Sequence, residues 1–240
     1  MYPEPFSPEE TRRYSRHLVL KGVGGVGQQR LRDARVLVVG AGGLGSPAIA
    51  YLAAAGVGTL GIVDHDTVSV SNLQRQVIHT TAAVGRGKAE SAALFARALN
   101  PHIAVRAHAE RLEEANVTAL LAAYDLVLDG TDNLATRRLV ATAAAQAEIP
   151  LVSGAVSMFD GQVTVFAPGG PQLGDLYGEA ADDADLPSCE ATGILGPLTG
   201  IIGSLMAMEA VKLIIGLGDP LIGRVLVYDG KDGCFSEFAL

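Results

Sequence analysis

Tryptophan is absent from this 240-residue chain, and aromatic side chains make up only 5 % of it. The apolar content, 49 %, is therefore aliphatic, which suits parallel strands covered by helices on both faces. Cysteine is scarce: Cys189 and Cys234 are the two, and neither lies in a Cys-x-x-Cys pair, so neither a zinc cluster nor a disulfide framework is indicated. Positive charge is short as well. With 18 Lys and Arg against 26 Asp and Glu, the net charge is −8. An acidic surface repels phosphate backbones, which argues against nucleic acid as a partner and favours a basic partner surface. Residues 1–10 are acidic and contain no apolar signal core, so a cytoplasmic location is expected. The longest apolar run, 194–218, contains Pro197, Glu209 and Lys212. Charges at that depth of a bilayer cost roughly 2.5–3.5 kcal/mol each, so a buried helix is expected there and no membrane span. Charged residues amount to 18 %, and disorder is excluded as a global description.

What remains is a regular alternation of strand and helix. Residues 8–33 are polar and basic and predict short helices, an N-terminal segment over 1–33. Then follow a strand at 35–39, a helix at 44–55, a strand at 59–64, and an irregular polar stretch at 68–81. A helix at 88–100, with Pro101 just beyond it, leads to a strand at 103–107. A short helix at 117–123, a strand at 126–129, a helix at 134–147 and a strand from 151 complete the alternation. This order means βαβ units and a mainly parallel sheet. After 155 the rhythm changes. A hairpin-like turn at Phe159-Asp160-Gly161 leads into a strand at 162–166, and 167–191 has no apolar period and is expected to be a mobile loop. A helix at 198–215 and strands at 224–228 and 235–238 close the chain. The expected fold is α/β: a single domain over 1–240, with a Rossmann-like, mainly parallel sheet, helices on both faces and antiparallel C-terminal strands.

Gly40-Ala41-Gly42-Gly43-Leu44-Gly45 follows the first strand directly and opens a helix, which is the context a G-x-G-x-x-G turn requires. Glycines permit a tight turn and close approach of backbone to phosphate, and the helix N-terminus supplies unpaired N–H groups. Asp64 ends the next strand, where a carboxylate accepts hydrogen bonds from ribose hydroxyls. The motif alone says nucleotide, with NAD the default.

The loops beyond the next strands shift that reading. Asp64 is followed by Asp66 and by Ser71-Asn72-Leu73-Gln74-Arg75, Lys88 starts a helix, and the fourth strand runs into Gly130-Thr131-Asp132-Asn133. ATP carries several negative charges and must release pyrophosphate. Arg75 and Lys88 can neutralise it, Asn72 can hydrogen-bond it, and Asp132 can hold a magnesium ion between phosphates. Local readings stay open beside these: Asn72 as a turn residue, Asp132 as the cap of the next helix, and Arg75 and Lys88 as solvated charges. An NAD-dependent oxidoreductase and a nucleotide-binding interaction module without catalysis are the alternatives.

These stretches resemble the MoeB/ThiF/HesA family, the bacterial relatives of ubiquitin-activating enzymes. The resemblance is carried by RYSRHLVL at 13–20, RVLVVGAGGLGSPAIAYLAAAGVG at 35–58, DHDTVSVSNLQRQVIHT at 64–80, VGRGKAESA at 84–92, DLVLDGTDNLATR at 125–137 and GPLTGIIGSLMAMEAVKLIIG at 196–216. It implies a homodimer with an ATP site in each subunit. It also implies an adenylyltransferase acting on a ubiquitin-like β-grasp sulfur-carrier protein that ends in Gly-Gly. By match, Gly43, Asp64, Ser71, Asn72, Arg75, Lys88, Asp132 and Asn133 are expected at the nucleotide, and Arg16 at the ATP of the neighbouring subunit. Two departures stand out. The family's zinc-binding Cys-x-x-Cys pairs are missing, one from GDLYG at 174–178, so no structural zinc is expected. Cys189, in LPSCEATGILGP, matches the family's conjugating cysteine, a covalent intermediate in some members and dispensable in others. Cys234, at a turn beside Phe235, is expected to pack structurally. Gly196, Gly200, Gly203 and Ala207 form a small-residue strip suited to packing within the chain or, in a sharper reading, to a dimer contact.

Overall fold

The computed structural model describes residues 5–178 and 193–240. Helices α1 (Pro8–Arg13), α2 (Ser15–Leu18) and α3 (Gly24–Asp33) precede strand β1 (Arg35–Val39). The alternation then runs α4 (Gly45–Ala55), β2 (Thr59–Val63), α5 (Lys88–Leu99), β3 (Ala104–His108), α6 (Val117–Leu121), β4 (Leu126–Asp129), α7 (Leu134–Gln146) and β5 (Leu151–Ser157). After it come β6 (Asp160–Phe166), α8 (Leu173–Tyr177), α9 (Gly196–Ile215), β7 (Arg224–Asp229) and β8 (Cys234–Ala239).

The eight strands form one sheet in the order β3-β2-β1-β4-β5-β6-β7-β8. The first five are mutually parallel and the last three pair antiparallel. The order reverses between β1 and β4, and such a switch point opens a crevice at the carboxyl ends of the strands. Aliphatic strands fit because both faces are covered. Val36, Val38, Leu126 and Leu128 point into one core, beneath α3, α4, α5 and α9. Their neighbours Leu37, Val39 and Val127 point into the other, beneath α6, α7 and Leu173 of α8.

Helix α9 is the long apolar run of the sequence. By length and composition it could cross a membrane. Here it packs on α3, α4, β5 and β6. Its Glu209 carboxylate is buried, accepting from Lys212 Nζ at 2.7 Å and from the Leu221 backbone N–H at 2.8 Å. The small-residue strip on α9 divides in two. A side chain at Gly196 or Gly203 would collide with the carbonyl of Gln74 or of Leu44, so both serve packing within the chain, whereas Gly200 faces open space.

Three expectations are corrected. The hairpin turn lies one residue early: Ser157 pairs with Asp160, leaving Met158 and Phe159 as the two-residue turn, with Met158 at φ 46°. The part of the loop expected over 167–191 that the structure describes contains α8, because Leu173 is buried and a capping box joins Gln172 to Asp175; residues 179–191 lie outside the described residues. Cys234 is exposed, since β8 is an edge strand with solvent on both faces.

Candidate functional site

The turn after β1 can form only with its glycines. Gly40 has φ +90°, and a side chain at Gly45 would strike the Gly40 carbonyl oxygen. Helix α4 begins at Gly45 with no side-chain cap, but Ser46 N–H already donates to Gly42 O at 2.9 Å and Pro47 has no N–H, so an anion here would meet the N–H groups of the glycine turn and of Gly45. The neighbouring turn after β4 lies alongside: Gly130 N donates to Val39 O at 3.0 Å.

Asp64, half-buried at the end of β2, holds this arrangement. One carboxylate oxygen accepts from Ala41 N at 2.8 Å and the other from Asp66 N at 2.9 Å. An ionised carboxylate keeps lone pairs beyond these two for ribose hydroxyls. On the far side of the turn, the Ala41 carbonyl meets His79 Nε2 at 2.9 Å, and His79 Nδ1 meets Ser91 Oγ at 2.9 Å. A carbonyl can only accept, so Nε2 carries the proton and Nδ1 of the neutral ring accepts from Ser91. Burial lowers the His79 pKa, which suits this neutral form.

Both cations expected at the phosphates reach the cavity, whose wall also includes Arg111 and Arg137. Lys88, the first residue of α5, is buried, and its ammonium lies 2.9 Å from the Asp66 carboxylate. Arg75 is half-buried and donates to Ser71 O at 3.2 Å. The fourth strand contributes Asp132 and Asn133. Helix α7 is capped by Asn133, whose Oδ1 accepts from Thr136 N at 2.8 Å. Asp132 is thereby free of the capping role; it is exposed and, among the described residues, accepts only a long 3.5 Å hydrogen bond from Asn133. Behind it, the fully buried Asp129 accepts from the Thr131 N–H at 3.0 Å and hydroxyl at 2.6 Å. Arg137 lies 3.5 Å from the other Asp129 oxygen and donates to Thr131 O at 2.7 Å and Ser153 Oγ at 2.9 Å. The turn that presents Asp132 is thus fastened from both sides.

The glycine turn, the residues after β2 and the turn after β4 line one cavity of about 660 Å³. Of the residues expected from sequence, Gly40, Gly42, Gly43, Asp64 and Asp66 are on its wall, as are Arg75, Lys88, Asp132 and Asn133. Others are not. Gly45 sits within α4, behind the turn it permits. Asn72 is buried and acts as a turn residue, its side-chain oxygen accepting from Ser69 N at 3.3 Å to close a 3-10 turn at Val70–Asn72. Ser71, Leu73 and Gln74 flank it away from the wall. Arg16 is exposed on α2, outside this cavity. Two residues before it, Tyr14 is buried, and its hydroxyl accepts from Asn100 Nδ2 at 2.8 Å, which docks the N-terminal helices on the end of α5. Cys189 lies outside the described residues.

Residues 14–240 match the model of the ThiF family. The chain belongs to the ThiF family. Among its relatives, "Probable adenylyltransferase/sulfurtransferase MoeZ" of Mycobacterium tuberculosis is 54 % identical over 231 residues, covering 94 % of this chain and 59 % of the relative. The chain therefore spans about three fifths of that relative's length. "Molybdopterin-synthase adenylyltransferase" of Escherichia coli is 46 % identical over 239 residues, with 98 % of this chain and 94 % of the relative covered. "Sulfur carrier protein adenylyltransferase" of Thermus thermophilus is 45 % identical over 241 residues, with 98 % and 89 % covered. Of solved structures, PaaA superposes with a TM-score of 0.84 at 23 % identity, covering 100 % of this chain and 76 % of its own, a likeness of fold.

In this ThiF-family chain the cavity continues past the nucleotide-type residues to Ser157, Gln162, Tyr177 and Val227. The Tyr177 hydroxyl accepts from Gln162 Nε2 at 2.6 Å, fixing α8 against β6. Sequence reading did not single out Gln76, His79, Arg137 or Tyr177. The first two fall within the matched stretch DHDTVSVSNLQRQVIHT, and Arg137 closes DLVLDGTDNLATR, which was the available signal.

Proposed function

We propose that this chain is an ATP-dependent adenylyltransferase that activates the C-terminal carboxylate of a ubiquitin-like sulfur-carrier protein. The observation that carries this reading is the meeting, at the switch point of the sheet, of a glycine turn leading into a helix, of Arg75 and Lys88, and of the exposed Asp132 carboxylate in one cavity. Relatives at 45–46 % identity that this chain nearly spans are named adenylyltransferases, one for a sulfur carrier protein.

The chemistry follows from these groups. A carrier carboxylate is already ionised near neutral pH, so the attack on the α-phosphorus requires no general base. One P–O bond forms to the carboxylate oxygen, and the bond to the bridging oxygen breaks, releasing pyrophosphate. Arg75 and Lys88 stabilise the charge that grows on the leaving group. The glycine turn ahead of α4 holds the phosphates, and Asp64 holds the ribose. Asp132 suits a magnesium ion, which keeps most of its ligands as water and phosphate and asks the protein for one or two carboxylates. When bound, that ion would neutralise phosphate charge. The far half of the cavity, towards Gln162 and Tyr177, has room for a slim chain end such as Gly-Gly.

The reading includes a homodimer. Arg16 is exposed beside Val19 and Leu20, which are 79 % and 53 % exposed, and this face would carry Arg16 to the partner's nucleotide. It includes no structural zinc, since the sequence holds no Cys-x-x-Cys pair. It places the protein in the cytoplasm, away from membranes and nucleic acid. The sulfur is destined for molybdopterin, thiamine or thiolated tRNA, with Cys189 serving transfer after activation. Isotope exchange tests the reading: labelled pyrophosphate enters ATP only when magnesium and a Gly-Gly-ending carrier are present. Absence of carrier-dependent exchange with every such carrier of the cell contradicts it.

A further inference from the structure

Gln76 is 3 % exposed, yet its side chain lies on the cavity wall. Its Oε1 is buried and has no hydrogen-bond partner among the described residues. Its Nε2 stands 3.6 Å from the point a Cβ on Gly42 would occupy, over the glycine turn. The main chain at Gln76 is fixed: its N–H donates to Asn72 O at 3.0 Å and its carbonyl accepts from His79 N at 3.0 Å. A buried amide oxygen left without a partner costs stability, and a leucine of similar size would avoid that cost. The backbone here holds the amide in place, at a position where a phosphate cradled by the turn would pass.

We propose that Gln76 is a phosphate ligand of the nucleotide site, its side-chain N–H groups donating to a phosphate oxygen above Gly42. This rests on the ATP reading. The amide is a neutral donor beside two cations. It fixes the position of a phosphate without adding charge, while Arg75 and Lys88 answer the charge that leaves with pyrophosphate. The two ends of an amide exchange by a half-turn, so a donor reaches the cavity while the carbonyl stays inside.

The test compares ATP with adenosine, which lacks phosphate, by titration calorimetry on the whole chain, together with the thermal midpoint. Gln76→Leu is expected to melt at or above the wild-type midpoint, to bind ATP about 10-fold more weakly and to bind adenosine unchanged. Gln76→Glu keeps the shape, replaces the donor with a negative charge, and is expected to lose more ATP affinity than Gln76→Leu. Gln76→Asn retains polarity if Leu disturbs folding, and withdraws the donor by one methylene; it too is expected to weaken ATP alone. Equal ATP affinity in wild type and a folded variant overturns the inference. So does a parallel loss for ATP and adenosine, which would mark a residue that only shapes the pocket. A wild-type protein that binds no ATP overturns the ATP reading itself, and this inference with it.

Discussion

Lys88 Nζ lies 2.9 Å from Asp66 Oδ2, a buried ammonium held by a carboxylate that is half in solvent. The pair joins α5 to the loop after β2 and keeps a positive charge at the cavity wall. Burial alone would raise the Asp66 pKa, but the Lys88 hydrogen bond and charge outweigh it and hold the value below the ordinary carboxylate range. A depressed carboxylate contributes stability above its unfolded pKa and loses it only as pH falls through the lower folded value. The pair is therefore intact wherever ATP chemistry is assayed. Lys88→Met removes the cation and leaves Asp66 facing the phosphates. A fall of about 100-fold or more in kcat/KM for ATP is expected in the exchange assay, with Lys88→Arg retaining part of the rate.

His79 gives the protein an acid sensitivity above the carboxylate range. Burial lowers its pKa, outweighing the Ala41 hydrogen bond and the nearby Asp64, while Lys88 adds to the lowering. His108 is lowered too, first by burial, with Glu110 opposing and Arg106 assisting. Unfolded histidine titrates near 6.5, so below that the unfolded chain takes up protons that the folded chain refuses. Stability is complete above about pH 6.5 and falls from there as pH drops, until the lower folded values are passed. Urea midpoints between pH 7.5 and 5.5 measure this. His79→Gln should flatten part of the decline, and a double variant with His108→Gln most of it; a slope unchanged in the double variant would refute the assignment.

Asp132 and Asn133 are adjacent but carry separable duties. Asn133→Ala removes the α7 cap and should cost about 1 kcal/mol, read as a lower denaturation midpoint. Asp132→Ala should leave stability within about 0.5 kcal/mol, as for a surface change. Its pyrophosphate exchange should fall steeply and respond little to added magnesium. Equal loss of stability in both variants would show that Asp132 also holds the turn.

Glu209 tests why α9 stays inside the fold. Glu209→Ala leaves the Leu221 N–H and the Lys212 ammonium without their acceptor, and should cost about 2–4 kcal/mol. Glu209→Gln keeps an acceptor for Leu221 and should cost less. Chemical denaturation of the two variants side by side gives the comparison.

Much of this was legible in the sequence for identifiable physical reasons. The β-branched run Val36–Val39 and the glycines behind it fix a strand and turn by local sterics, and the strand–helix alternation fixes a parallel sheet. Arg75, Lys88 and Asp132 were visible as charged groups near strand ends, where a crevice must open. What escaped depends on contacts distant in the chain. His79 matters because Ala41 and Ser91 come to its two ring nitrogens, and Arg137 because Asp129 lies beneath it. Asn72 uses its oxygen to accept from the Ser69 N–H, a local turn bond that leaves its amide nitrogen as the group able to donate to a phosphate. Helix α8 is five residues long, too short to show a period. Cys234 was expected to pack beside Phe235, but an edge strand uncovered on both faces leaves it in solvent.

The central claim is that a carrier carboxylate attacks the α-phosphorus of ATP. Supplying a Gly-Gly-ending carrier whose C-terminal carboxylate is labelled with heavy oxygen, then cleaving the product with a thiol or amine, tests it by mass spectrometry of the released AMP. AMP bearing one carboxylate-derived oxygen is expected, together with one pyrophosphate per carrier. AMP without the label, or release of ADP and phosphate in its place, would contradict it.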